Sequence, residues 1–166
     1  MILRGDCVIF SINFKKLIAS LLIPLAVGGI SAFIVRNDMN IYETIIRPPL
    51  SPPSWIFPVV WTILYLLMGV SLYLVWSSKA PPEQKKTAFV FFALQLLLNF
   101  LWSPIFFGMQ NFLLAFVVLV SMWLFTVGMI ISFYKISKPA GILQLPYLIW
   151  LTFAGYLNFS IYVLNK

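Results

Sequence analysis

Residues 55–76 read WIFPVVWTILYLLMGVSLYLVW, a run with no Asp, Glu, Lys or Arg. A hydrocarbon core about 30 Å thick takes roughly 20 apolar residues at helical rise, so this run is long enough to cross a bilayer. Four more stretches match it, and the charge-free segments place helices at about Lys16 to Val35, Trp55 to Trp76, Thr87 to Phe107, Phe112 to Tyr134 and Ile142 to Val163. An unpaired backbone polar group costs several kcal/mol in hydrocarbon, which excludes open strands of this length. The expected fold class is therefore all-α, an integral membrane bundle of five transmembrane helices. It forms a single membrane domain over residues 1–166, with residues 36–54 as its longest connection.

Composition agrees. Of the 166 residues, 62% are hydrophobic, 17% aromatic and only 9% charged, against about 25% charged in a soluble domain. The net charge of +7 reads mainly as a topology signal. Arg4, Lys15, Lys16, Lys79, Lys85, Lys86, Lys135 and Lys138 fall on one side of the five spans, and Arg36, Arg47 and Lys166 on the other. The positive-inside rule then puts the N-terminus in the cytoplasm and the loop 36–54 on the opposite face. A bacterial cytoplasmic membrane fits this bias, with a mitochondrial outer membrane as the alternative. Nucleic-acid binding is not expected, because the cations are scattered over loops rather than gathered in a patch.

Arg4 followed by the apolar run Val8 to Ile12 has the outline of a signal peptide, but the run is short and Lys15 and Lys16 follow it. It is expected to be a short extension ahead of the first helix. Cys7 is the only cysteine, which leaves no intramolecular disulfide and no cysteine metal cluster. There is no histidine, and Asp6, Asp38, Glu43 and Glu83 all lie outside the expected helices. General acid-base chemistry within the bilayer, a metal site, and ion coupling through a membrane-embedded carboxylate all lack their usual residues.

What the spans do carry is aromatic and amide chemistry. Six Trp, seven Tyr and sixteen Phe suit a flat, apolar, conjugated ligand, since aromatic faces stabilise such contacts beyond area burial. Trp55 and Trp76, at the ends of the second span, fit an interfacial belt, whereas Trp61, Trp102, Trp123 and Trp150 lie deeper. Helical spacing gathers Trp61, Tyr65 and Met68 on one face, Gln95, Asn99, Trp102 and Phe106 on another, and Pro146, Trp150 and Ala154, with Asn158 a turn beyond, on a third. These stripes are expected to converge on one cavity. Gln95, Asn99 and Asn158 serve either as interhelical hydrogen bonds or as ligand contacts. Gly28 with Ala32 and Gly128 with Ser132 have the small-residue spacing of close helix packing. Four prolines between Pro48 and Pro53 read either as a simple helix stop and start or as a stiff, extended lid over residues 36–54, and Pro104 and Pro146 stand where they can kink helices around a cavity.

In order along the chain, Pro52-Pro-x-Trp55 with Trp61-Thr-x-x-Tyr65, Tyr73-Leu-Val-Trp76, Gln95-Leu-x-x-Asn99-x-x-Trp102-x-Pro-Ile-Phe-Phe-Gly108, and Pro146-Tyr-Leu-x-Trp150-Leu-x-Phe-Ala154-x-x-Leu-Asn158 resemble the translocator protein/tryptophan-rich sensory protein family (TspO/MBR). The resemblance runs from about Lys16 to Asn165. It implies a five-helix bundle, often a homodimer, that binds porphyrins such as protoporphyrin IX, with haem and sterols among its ligands. Carried over residue by residue, it implies a pocket beneath the first loop lined by Tyr42, Pro52, Trp61, Tyr65, Asn99, Trp102, Trp150 and Ala154. It further implies Trp61 and Trp150 as the tryptophans to which light-dependent porphyrin breakdown is attributed in some bacterial members. The chain departs from the family where Ile41-Tyr42 stands for Trp-Tyr and Pro49-Leu50 for one or two Trp. No fixed cofactor is expected: the deep segments hold neither His nor Cys for haem iron, and a free-base porphyrin, as ligand or substrate, needs no axial ligand. The loose sterol pattern Leu157-x4-Tyr162-x3-Lys166 closes the chain and reads first as interfacial anchoring, with a sterol site as the alternative.

Overall fold

The structure is a computed structural model that describes residues 12–166. The expected N-terminal extension, with Arg4, Asp6, Cys7 and all of the Val8 to Ile12 run but its last residue, lies outside the described residues. Helices α1 (Phe14–Ile34), α2 (Ile41–Thr44), α3 (Ile56–Ser77), α4 (Pro82–Ser103), α5 (Phe112–Ile136), α6 (Lys138–Ile142) and α7 (Leu145–Leu164) follow one another, with no strand among the described residues. Five of the helical segments are long and apolar enough to cross a membrane, as the sequence implied. The protein is an all-α membrane bundle in which α1 packs on α3 and α4, while α5 packs on α4 and α7.

The ends of the spans differ from the hydropathy reading for local reasons. α1 begins at Phe14 rather than Lys16 because the Asn13 side chain accepts from the Lys16 amide at 3.1 Å. α4 begins at Pro82, not at about Thr87. Its polar first turns, with Pro82 at the helix start and Glu83 beside it, are helical but too hydrophilic to register as a span. α5 continues to Ile136. The last long helix starts at Leu145 rather than Ile142, since Lys138–Ile142 folds as the separate turn α6, fixed to α3 by the Ser71 hydroxyl donating to the Ala140 carbonyl, although the apolar segment as a whole runs from Lys138 to Leu164.

Pro104 stands where α4 gives way to a π-helical turn, whereas Pro146 sits in the first turn of α7. After Pro104 the chain forms a π-helical turn, Pro104–Gly108, closed by the Met109 amide on the Pro104 carbonyl at 2.9 Å. Proline has no N–H to offer the carbonyl four residues earlier. The Ser31 hydroxyl of α1 donates to that carbonyl, Phe100 O, at 2.9 Å, which supplies a partner where lipid has none. Pro24 lies inside α1, which stays helical through it. Opposite it, Gly69 of α3 lies so close that an added Cβ would come within 2.7 Å of the Leu21 Cα. A Cβ at Gly28 would overlap the Tyr65 ring, and one at Gly128 would press on Phe91. The small-residue spacings thus serve helix packing within the chain.

Candidate ligand site beneath the first loop

The three stripes meet. On α4, Ala88, Phe92, Gln95 and Asn99 are buried, and one turn on, Trp102 is half-buried and Phe106 buried, at the spacing expected of one helix face. On α3, Met68 is fully buried and Trp61 and Tyr65 are half-buried above it. On α7 the inward row is rotated from the expected one. Tyr147, Leu151 and Asn158 are buried while Pro146 is exposed and Trp150 and Ala154 are half-buried, so the row centred on Pro146 and Trp150 is corrected to one centred on Tyr147. Pro146 takes the outward position because a first-turn proline is set by helix entry rather than by packing.

Tyr147 joins the stripes. Tyr65 donates to Asn99 Oδ1 at 2.7 Å, Asn99 Nδ2 donates to the Tyr147 hydroxyl at 3.1 Å, and that hydroxyl donates to Gln95 Oε1 at 3.0 Å. The chain of bonds crosses α3, α4 and α7 in the interior of the bundle. Gln95 Nε2 and Trp150 Nε1 are buried without a protein partner, two donors that remain free for another group. Trp61 packs against both phenols, its ring centroid 5.5 Å from Tyr65 and 6.1 Å from Tyr147. Trp102 donates to Asn158 Oδ1 at 3.0 Å and stacks on Phe106 at 4.9 Å, while Asn158 Nδ2 donates to the Phe112 carbonyl. Asn158 is therefore an interhelical tie. Asn99 spends both of its polar atoms in the same way.

The lid is less extended than the prolines predict. Residues 35–40 turn helically into α2, and the extended part begins at Ile45. Tyr42 is buried below it, its hydroxyl donating to the Pro52 carbonyl at 3.1 Å, so these two implied pocket residues touch each other. Edge-to-face contacts at 5.2 and 6.0 Å run from Tyr42 through Phe57 to Trp150 and connect the loop to the interior. Two residues at the far end of the chain latch the loop. Asn165 exchanges a pair of hydrogen bonds with the Ile46 backbone, each 2.9 Å, and Tyr156 donates to the Pro49 carbonyl at 3.0 Å.

Sequence reasoning missed Tyr147, Phe57, Tyr156 and Asn165 as site residues. Tyr147, Leu151 and Asn158 follow one another at helical spacing on the buried face of α7, but apolar neighbours on the adjoining faces leave that phase unmarked in the sequence. Nothing local marks Asn165, whose partner is 119 residues away. Trp123 donates to Thr152 at 2.9 Å, a tie between α5 and α7. In the sterol pattern, Leu157 is buried in the bundle, whereas Lys166 lies 5.3 Å from the Tyr162 ring centroid at the helix end. Those three residues do not form one surface.

The model of the TspO/MBR family matches residues 20–164. The tryptophan-rich protein TspO of Chlorobaculum tepidum is 44% identical over 142 residues, covering 85% of this chain and 90% of the relative. The tryptophan-rich sensory protein of Cereibacter sphaeroides is 41% identical over 124 residues, 75% of this chain and 76% of the relative. The translocator protein of Bos taurus is 32% identical over 147 residues, 87% of each. A match over most of the chain, with the indole and amide positions assembled as described, means that this membrane protein belongs to the TspO/MBR family.

Proposed function

We propose that this protein binds a flat, apolar tetrapyrrole such as protoporphyrin IX between its helices beneath the first loop, in a sensing, sequestration or transport role. The names of its relatives, tryptophan-rich sensory protein and translocator protein, support a sensory or transport role in a membrane. The observation that carries the ligand class is the meeting of Trp61, Tyr65 and Tyr147 around buried amides, with the Trp150 indole N–H left unpartnered. Aromatic faces would sandwich the macrocycle, and the free N–H groups of Trp150 and Gln95 would meet its polar edge. Because Asn99, Tyr65 and Tyr147 already satisfy one another, the ligand takes its affinity from stacking. Entry requires the loop to lift, since Tyr42 and Phe57 fill the space above Trp150. The charge bias supports a cytoplasmic N-terminus with the loop on the opposite face, in a bacterial cytoplasmic membrane or, alternatively, a mitochondrial outer membrane.

One contact favours a second reading, in which light and dioxygen oxidise the bound porphyrin with Trp61 and Trp150 as redox-active side chains. Trp61 has two phenols within 6.1 Å, neighbours able to pass an electron to an oxidised indole. Titration of the detergent-purified protein with protoporphyrin IX, in the dark and then under light, tests both readings, with Trp61→Phe and Trp150→Phe alongside. Saturable quenching of tryptophan fluorescence is expected in the dark, weaker in both variants. Loss of porphyrin absorbance under light in the parent alone would move the assignment to the enzyme. Absence of saturable quenching would overturn tetrapyrrole binding altogether.

A further inference from the structure

We infer that the face formed by α1, α3 and α4 at the N-terminal side of the membrane is a binding site for one anionic phospholipid. The site is separate from the pocket beneath the loop, and the inference is independent of the tetrapyrrole reading. Two grooves adjoin there and share Trp76, Phe89 and Ala93 as a common wall. The deeper, about 520 Å³, is lined only by apolar residues, among them Ile23 and Val27 of α1, Leu72 of α3 and Phe100 of α4. The shallower, about 640 Å³, opens toward the membrane surface and brings together Lys16, Lys85 and Lys86.

The arrangement has the chemistry and the length of a lipid. Lys16 lies 5.9 Å from the Trp76 ring centroid, and Lys85 Nζ donates to the Trp76 carbonyl at 3.3 Å and to the Ser78 carbonyl. Those contacts hold the Lys16 ammonium over the indole and the Lys85 ammonium at the backbone beside it, at the helix end where headgroups sit. Lys85 keeps a third N–H for an external acceptor. Glu83, the acidic residue in the same turn of α4, forms no ion pair with these lysines among the described residues. From Phe89 to Phe100 the groove runs ~16 Å along α4 at helical rise, about half the hydrocarbon thickness and so one leaflet. A phosphate on the three lysines would leave an acyl chain directly over the apolar trough. A second copy of this chain is disfavoured as the occupant. Related by an axis along the membrane normal, two such faces would bring like clusters of lysines together at one depth.

The test uses the full chain in phosphatidylcholine nanodiscs, titrated with phosphatidylglycerol or phosphatidylcholine brominated in the acyl chain. Quenching specific to Trp76 is obtained by subtracting the Trp76→Phe variant. Phosphatidylglycerol is expected to quench at about tenfold lower mole fraction than phosphatidylcholine. The preference should vanish in Lys16→Gln/Lys85→Gln/Lys86→Gln and persist in Lys79→Gln, and millimolar inorganic phosphate should leave it unchanged. Circular dichroism of the triple variant checks that the bundle is intact, and brominated phosphatidylcholine must still quench it. Equal quenching by the two lipids, a preference surviving the triple substitution, or displacement by free phosphate would overturn the assignment. So would protection of Trp76 from both lipids together with Ala93→Cys cross-linking between copies in a Cys7→Ser background, which would make the face a dimer contact.

Discussion

At Tyr147 one hydroxyl holds two amides: it accepts from Asn99 and donates to Gln95, whose Nε2 already lacks a partner. Removing that oxygen strands a fully buried glutamine side chain, and no water is at hand inside a bilayer to take its place. Tyr147→Phe should therefore cost about 1–3 kcal/mol, read as a lower denaturation midpoint in detergent micelles. Replacing Gln95 with Leu in the same background removes the stranded group and should return part of the loss, a non-additivity that a double-mutant cycle measures. Trp102 makes the opposite case. Its indole N–H is bonded to Asn158, so Trp102→Phe should lower stability by the order of ~0.6 kcal/mol typical of an interhelical bond, whereas Trp150→Phe, which breaks no bond within the protein, should leave the midpoint nearly unchanged.

Helix by helix, the bundle is built around two interior prolines, each opposite a small residue of a neighbour. Ser31 serves the Phe100 carbonyl only because Pro104 cannot, so Ser31→Ala is expected to cost about 1 kcal/mol in the parent and close to nothing in Pro104→Ala, where a normal helical bond forms. Unfolding midpoints of the four proteins decide it, and equal cost in both backgrounds would mean that the serine acts through packing alone. Gly69→Ala meets backbone at 2.7 Å, which no rotamer change relieves, and should separate α1 from α3 at a cost of 1–3 kcal/mol on the order of other overpacked sites. Such features explain how much of this molecule could be read from its sequence. Five charge-free runs suffice for the helices, because in hydrocarbon the backbone has no other choice. Phases within a helix were legible on α4, where polar residues stand out against Leu and Phe, and slipped by one residue on α7, where every face is apolar and Trp150 outweighed Tyr147. The start of α4 was misplaced because a proline-led polar turn is helix without being span, and that of α7 because the apolar Ile142 belongs to the separate turn α6. The pairing of Ser31 with Phe100, like that of Asn165 with Ile46, is set by tertiary approach and has no local signature.

Across the whole molecule the two faces of the membrane are treated differently. At one face lysines hold Trp76 beside an open apolar trough; at the other the loop is folded down and tied to the last turns of α7. The ties are few. Ile46 contributes its N–H and carbonyl to Asn165, Pro49 its carbonyl to Tyr156, and Arg47 sits 3.7 Å from Glu43 in an exposed pair of little worth. Aromatic edges at Tyr42 and Phe57 supply the apolar part of the closure. Local opening of this loop thus has a free energy well below that of the bundle, and Asn165→Ala, by removing two exposed hydrogen bonds, should lower it by about 1 kcal/mol. Amide exchange within residues 42–50 should quicken about fivefold while the transmembrane helices keep their protection, which mass spectrometry of the exchanged protein reads directly. If loop opening admits the ligand, the association rate of protoporphyrin IX should rise by the same factor in stopped flow, and Tyr156→Phe should add to it. Faster exchange with an unchanged association rate would place ligand entry elsewhere, between helices rather than through the loop.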